Sequence, residues 1–248
     1  MARAFYLLFG VVAYLIFFAT FLYLVAFTGN FPQAPITVDR GGAAGSLVPS
    51  ILIDLGLIAL FGLQHSVMAR PRFKAAWTNI VPEAIERSVY VLLASVMLIN
   101  LFWFWRPIPI LIWNVETPAF AYALWALFGL GWAIVLLSTF LISHFELFGL
   151  SQVWNSARAV DPAPPVFRTP FFYKRVRHPL YSGFILAFFA IPAMSVGHLV
   201  LALGMLGYIL IAIVHEERDL VALFGKDYED YRGRAGKLIP RFGRAPSA

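Results

Sequence analysis

Long apolar runs, separated by short stretches where Gly, Pro and charged residues gather, set the pattern of this chain. The runs cover residues 5–27, 48–68, 88–105 and 120–142, each near the ~20 residues that carry an α-helix across a ~30 Å hydrocarbon core. A fifth run, 181–214, is too long for one ordinary crossing. Residues 192–197 (PAMSVG) interrupt it with breaker residues, which predicts two limbs joined by a turn, the first limb short. The expected fold is all-α: a polytopic transmembrane bundle of four spans followed by a two-limbed C-terminal helical hairpin, five to six membrane segments in all. The first run exceeds the ~7–15-residue apolar core of a secretory signal and lacks a small-residue cleavage site, so it reads as a retained helix.

Composition changes the picture in one respect, orientation. The chain is 60% apolar and 13% charged, against roughly 25% charged for an average soluble domain. Of its 19 Lys and Arg, only Arg40 and Arg106 fall in the connections after the first and third spans. The other 17 lie at the N-terminus, in 70–87, in 143–180, or from Arg218 onward, all on one side if six segments cross. The excess of cations on short loops predicts that both termini and both basic loops are cytoplasmic. The formal charge of +6 is then an attraction to anionic membrane lipids. Nucleic acid is not an expected partner, because the basic residues flank spans instead of lining one face. The absence of cysteine excludes disulfides, thiolate metal sites and a cysteine nucleophile. The five histidines form no HExxH or other tight ligand pattern, so no metal is expected.

One membrane domain over 1–248 is expected, with four spans in 1–142 and a connector, hairpin and tail in 143–248, since no polar stretch is long enough to bury a core of its own. The connections around Pro32, Pro35, Gly41, Gly42 and Gly45, and over 106–118, read as irregular. The connector 143–183 mixes His, Glu, Gln, Trp, Tyr and Arg with turn residues, and its aromatic content argues for a structured lid against the membrane. The tail 216–244 continues the last segment and turns amphipathic: Leu220, Leu223, Phe224, Tyr228 and Tyr231 recur at helical spacing. It is expected to lie along the headgroups or fold back over the helix ends.

Two places carry candidate chemistry. In Arg177-His178-Pro179-Leu180-Tyr181-Ser182-Gly183, proline suits the first position of a helix, so free amides and a positive dipole end stand beside Arg177 and His178. That corner attracts a carboxylate or phosphate, with Gly183 allowing close approach to the backbone. The competing reading is a basic membrane-edge anchor. In His215-Glu216-Glu217-Arg218 two acids follow an apolar helix at an end where cations are preferred, so another group must compensate them. Either they answer Arg218 and the basic tail, or the hairpin brings them beside 177–183. The second arrangement complements a zwitterionic amino acid with an added positive charge. Asp54, inside the second span, is expected to pair with a polar partner such as Asn100.

The Arg-His-Pro-x-Tyr-x-Gly block, the Glu-Glu pair, and Phe-Gly-x-x-Tyr-x-x-Tyr ending in Ile-Pro resemble the isoprenylcysteine carboxyl methyltransferase and phospholipid methyltransferase superfamily over about 170–242. The resemblance implies an S-adenosylmethionine site on the cytoplasmic side. Arg177, His178, Tyr181 and Gly183 would hold the methionyl end. Glu216 and Glu217 would face the ammonium or the ribose, and Tyr228, Tyr231 and Arg232 would close the pocket. Residues 62–71 (GLQHSVMARP) and 144–154 (HFELFGLSQVW) depart from prenylcysteine enzymes and resemble the bacterial methanethiol S-methyltransferases. This second resemblance, which covers most of the chain, implies conversion of methanethiol, a small volatile thiol, to dimethyl sulfide in a bacterial inner membrane.

Methyl transfer from a sulfonium requires alignment of two sulfurs, exclusion of water and a thiolate, and an alkyl thiol is largely protonated at neutral pH. His144 is the expected base, with Glu146 or Gln152 orienting it or the substrate, and His65 is a second candidate; each histidine also reads as a hydrogen-bonded interfacial residue. Trp154, Phe171, Phe172 and Tyr173 offer rings that attract a sulfonium. Three other functions compete: methylation of a lipid amine or another hydrophobic thiol, an NADPH-using reductase of the sterol type, and a noncatalytic membrane protein of nitrogen-oxide metabolism. The oligomeric state is open.

Overall fold

The structure is a computed structural model that describes residues 1–161 and 164–241; the last part of the tail, from residue 242 on, lies outside the described residues. Its elements run α1 (Ala2–Thr28), α2 (Leu47–Met68), α3 (Pro71–Trp77), α4 (Glu83–Phe104), β1 (Leu111–Asn114), α5 (Pro118–Ile142), α6 (His144–Leu147), α7 (Leu150–Arg158), α8 (Pro179–Phe189), β2 (Ala193–Ser195), α9 (Val196–Phe224) and α10 (Lys226–Arg234). A single-turn 3-10 helix, Phe171–Lys174, precedes α8. Five helices, α1, α2, α4, α5 and α9, are long and apolar enough to cross a membrane. The protein is an all-α polytopic membrane protein. At 11 residues α8 rises only ~16 Å, about half the hydrocarbon core, so the first limb of the hairpin is short, as the pattern predicts. Proline opens α3, α5 and α8 at the first helical position, where its missing N–H has no intrahelical partner to lose. Large apolar side chains such as Leu8, Leu15, Leu22, Leu52, Leu60 and Leu63 point outward, as lipid as solvent requires.

The chain divides into two compact units, each assembled from separated stretches. The first takes Met1–Asn114, His144–Ala163 and Ala193–Gly204. In it α1 packs on α4 and α7, and α2 on α4. Gly149, between α6 and α7, has φ +89°, and a Cβ there would meet Ser88 Oγ at 2.6 Å and Ser88 N at 2.8 Å. Only glycine satisfies both the backbone and the space.

The loops that read as irregular are built. Trp105, fully buried, donates its indole N–H to the Val38 carbonyl (3.0 Å), and Arg40 donates to the Phe31 carbonyl (2.7 Å). The interruption at 192–197 is not a plain turn: Ala193–Ser195 pairs antiparallel with β1, and Ser195 Oγ caps α9 by accepting from His198 N–H (2.9 Å). Asp54 is paired differently from the expectation. Its Oδ1 accepts from the Arg106 backbone N–H (2.9 Å), while Asn100 donates to the Val96 carbonyl in its own helix. In lipid the nearest intrahelical carbonyl satisfies an amide more readily than a side chain across the bundle.

The second unit takes Val115–Ser143, Pro164–Pro192 and Met205–Ala248. Here α5 and α8 meet backbone to backbone. A Cβ on Gly183 would stand 2.7 Å from the Gly131 carbonyl oxygen, and one on Gly131 would stand 2.6 Å from Ala187 N, so small residues on both helices permit the contact. Beyond α9 the chain folds back as α10, burying Tyr228, Tyr231 and Ala235 against Phe167, Leu220, Val221 and Phe224. Of the two courses open to the tail, the described part takes this one. The apolar side chains at helical spacing find a partner within the unit instead of a headgroup surface.

Candidate functional site

The second unit gathers the charged residues of both motifs. Residues 235–238 run beside 175–182 as a strap. Arg177 N–H donates to the Gly236 carbonyl (2.8 Å), Gly236 N–H to Arg175 (2.9 Å), His178 N–H to Lys237 (3.1 Å), and Ser182 Oγ to Leu238 (2.6 Å). The Tyr231 hydroxyl lies between the carbonyls of Tyr173 (2.5 Å) and Val176 (3.2 Å). Burial holds that hydroxyl up to about 12, so it stays a neutral donor. The tail therefore supplies carbonyls to the corner where α8 begins, which the sequence alone presents as open to an anion.

Against this strap stand the two acids. Glu217, 7% exposed, receives the Arg177 Nε–H at Oε1 (2.8 Å), lies 3.1 Å from His178 Nε2, and has Arg232 Nε at 3.5 Å from Oε2. Glu216 Oε2 lies 3.7 Å from His178 Nδ1, so one buried imidazole is flanked by both carboxylates. Arg177 also donates from Nη1 to the carbonyls of Arg232 and Ala235, both at 2.9 Å. The acids do not mark a helix end: α9 continues two turns past them to Phe224. Their compensation comes from three cationic or imidazole side chains 15 to 40 residues away in sequence, not from the dipole.

The remaining residues of the motif take different places. Tyr181 sets its ring against His178 (centroids 5.6 Å apart), and Gly183 faces α5. Tyr228 is 2% exposed, and its hydroxyl has no hydrogen-bond partner among the described residues. Burial and then the Glu217 and Glu216 carboxylates push its ionisation far above the ordinary tyrosine value, which leaves an unused neutral donor near the acids.

A cavity of about 360 Å³ opens beside this cluster, lined by Val214, Glu217, Arg218, Val221, Arg232 and Lys237. Glu217 and Arg232 were expected from the sequence. Arg218 and Lys237 were not, although Arg218 adjoins the acid pair and Lys237 lies in the matched block.

The expected catalytic residues lie in the first unit. His144, 4% exposed, sits 2.8 Å from the Tyr14 hydroxyl through Nε2, with the rings of Tyr14, Phe145 and Phe148 around it. Burial lowers its pKa, so the imidazole is neutral at pH 7. Tyr14, a residue of the first span with no motif around it, escaped the sequence reading. His65 Nε2 makes a matching 2.8 Å contact with the Tyr90 hydroxyl. Gln152 donates to the backbone carbonyl of Glu146 (3.1 Å); its own Oε1 is buried without a partner among the described residues, and the Glu146 side chain is exposed. Of the aromatic residues, Trp154 and Phe171 are exposed, while Tyr173 is buried beneath Tyr231.

The chain is similar in sequence to known proteins. A methanethiol S-methyltransferase of Mycobacterium tuberculosis is 48% identical over 240 residues, 97% of this chain and 98% of that one. One of Crocosphaera subtropica is 49% identical over 244 residues, 98% and 95%. Methanethiol S-methyltransferase 1 of Bradyrhizobium diazoefficiens is 50% identical over 233 residues, 94% and 81%. Nurim of Xenopus laevis is 30% identical over 203 residues, 77% and 67%. No family model matches the chain, and no solved structure does. The fold and these relatives define an integral-membrane methyltransferase. Within that class, the chain belongs to the methanethiol S-methyltransferase family.

Proposed function

We propose that the chain transfers the methyl group of S-adenosylmethionine to the sulfur of methanethiol, giving dimethyl sulfide and S-adenosylhomocysteine. The observation that carries this is the cluster of Glu216, Glu217, Arg177, His178 and Arg232 beside one cavity, with the orphaned Tyr228 hydroxyl near the acids. This set suits a ligand that is at once a sulfonium, an ammonium and a carboxylate. The acids face the positive groups, cations of the same cavity wall are available to the carboxylate, and the buried hydroxyl offers one directed bond. When bound, the donor supplies an electrophilic methyl carbon. The thiol sulfur forms a bond to that carbon as the sulfonium carbon–sulfur bond breaks, and the thiol proton must leave.

His144 is the group that takes the proton. Its support is a neutral imidazole, kept unprotonated by burial and held by Tyr14. Gln152, with a buried acceptor oxygen, is a polar contact for the substrate, and Glu146 fixes Gln152 through its carbonyl. His65 is the alternative base, held in the same way by Tyr90. The site works at the cytoplasmic face of a bacterial inner membrane with both described ends of the chain on that side, a placement supported by the 17 cations on one set of loops.

The test is incubation of the purified protein with methyl-labelled S-adenosylmethionine and a panel of thiols, amines and lipids. Labelled dimethyl sulfide formed with methanethiol is the expected outcome. Label in lipid, or none in any acceptor, overturns the assignment.

A further inference from the structure

We infer that the carboxylate of the methyl donor is held by Arg218 and Lys237, and that Arg177 is a positioning residue for Glu217. The inference rests on the donor site proposed above. Arg177 is the obvious carboxylate ligand in the motif, but its side chain is only 10% exposed and three of its donors already serve Glu217 and two tail carbonyls. Its charge is balanced by a carboxylate at 2.8 Å.

The cavity wall is built differently. Val214, Glu217, Arg218 and Val221 follow one another at i, i+3, i+4 and i+7, so they form one stripe along α9. The tail completes the wall with Arg232 and Lys237. Glu217 is shared by Arg177 and Arg232, which leaves the cations of Arg218 and Lys237, both exposed, as the surplus charge of the cavity. Lys237 has a fixed base, because its carbonyl accepts the His178 N–H at 3.1 Å. The donor's adenosyl part is neutral, so its carboxylate is the one anion this surplus can take. The ammonium shares an α-carbon with that carboxylate, and Glu217 adjoins Arg218 in the same stripe, so one end of the cavity meets both charges.

Binding of S-adenosylmethionine and of its decarboxylated analogue, measured by calorimetry on the full chain in detergent without a thiol, tests this. The unaltered protein should prefer the carboxylated donor by about tenfold or more. Arg218→Met and Lys237→Met should each weaken S-adenosylmethionine about tenfold while leaving the analogue nearly unchanged. Arg177→Met should weaken both ligands alike, because it acts through Glu217. The inference is overturned if Arg218→Met and Lys237→Met bind the donor as the unaltered protein does, lose both ligands equally, or if the unaltered protein does not discriminate. Failure of the unaltered protein to bind either ligand overturns the donor site itself, a distinguishable result.

Discussion

The candidate site residues of the two units handle buried polarity in opposite ways. In the first, the two candidate bases are each met by a tyrosine: His144 by Tyr14 and His65 by Tyr90, both at 2.8 Å, among aromatic side chains. In the second, Glu217 is shared by Arg177, His178 and Arg232, and the cluster borders a cavity. A neutral pair carries little desolvation penalty and keeps an imidazole ready to accept a proton. A shared ion cluster is expensive to bury, and here the buried members, Glu217 and Arg177, each have several partners. The first arrangement suits proton transfer, the second the holding of a charged ligand.

Breaking the ionic half should have the largest effect. Glu217→Gln leaves Arg177 and Arg232 short of a counter-charge. S-adenosylhomocysteine binding, read by calorimetry, should weaken by roughly a hundredfold, with a stability loss of about 3 kcal/mol. Unchanged affinity would remove the cluster from the ligand site.

Breaking the neutral half should act on turnover instead. His144→Ala should lower kcat about a hundredfold while donor affinity stays within about twofold. Burial lowers the folded-state pKa of His144, so in the unaltered protein the acid limb of kcat should lie below the ordinary value of about 6.5. The stability this group contributes is present above that value and lost as pH falls through the lowered one, since the unfolded chain takes up the proton first. An unshifted pH profile in His144→Gln would move the base elsewhere, His65 being the next variant to test.

Two smaller changes sharpen the contrast by testing the scaffold alone. Gly183→Ala drives a methyl group into the Gly131 carbonyl and should destabilise by about 1–3 kcal/mol, seen as a lowered Tm. An unchanged Tm would mean that α5 and α8 are not in backbone contact. Tyr231→Phe should lose about 1 kcal/mol at neutral pH. Because burial raises this hydroxyl to about 12, its contribution is complete below the ordinary value of about 10 and disappears as pH climbs toward 12. The variant should flatten that alkaline decline, and an identical decline would assign it to another group.

Much of this was legible in the chain itself. Runs of about twenty apolar residues fix the spans, because the hydrocarbon core admits little else, and Pro71, Pro118 and Pro179 fix where three helices begin. The clustering of Arg177 and His178 with the acid pair was expected from the motif, yet its form was not: α9 runs on past Glu217, and the tail fills the corner at α8 that local sequence leaves empty.

What only the tertiary structure decided are the pairings between distant positions. Tyr14 meets His144 across 130 residues, and Gly183 meets the Gly131 carbonyl on another helix too closely for a Cβ. Arg218 and Lys237 share a wall because a helix face and a folded-back tail converge. Hydropathy and turn chemistry act over a few residues, so they specify elements. Which side chains then face one another depends on how the faces of those elements pack, and no local stretch of sequence carries that information.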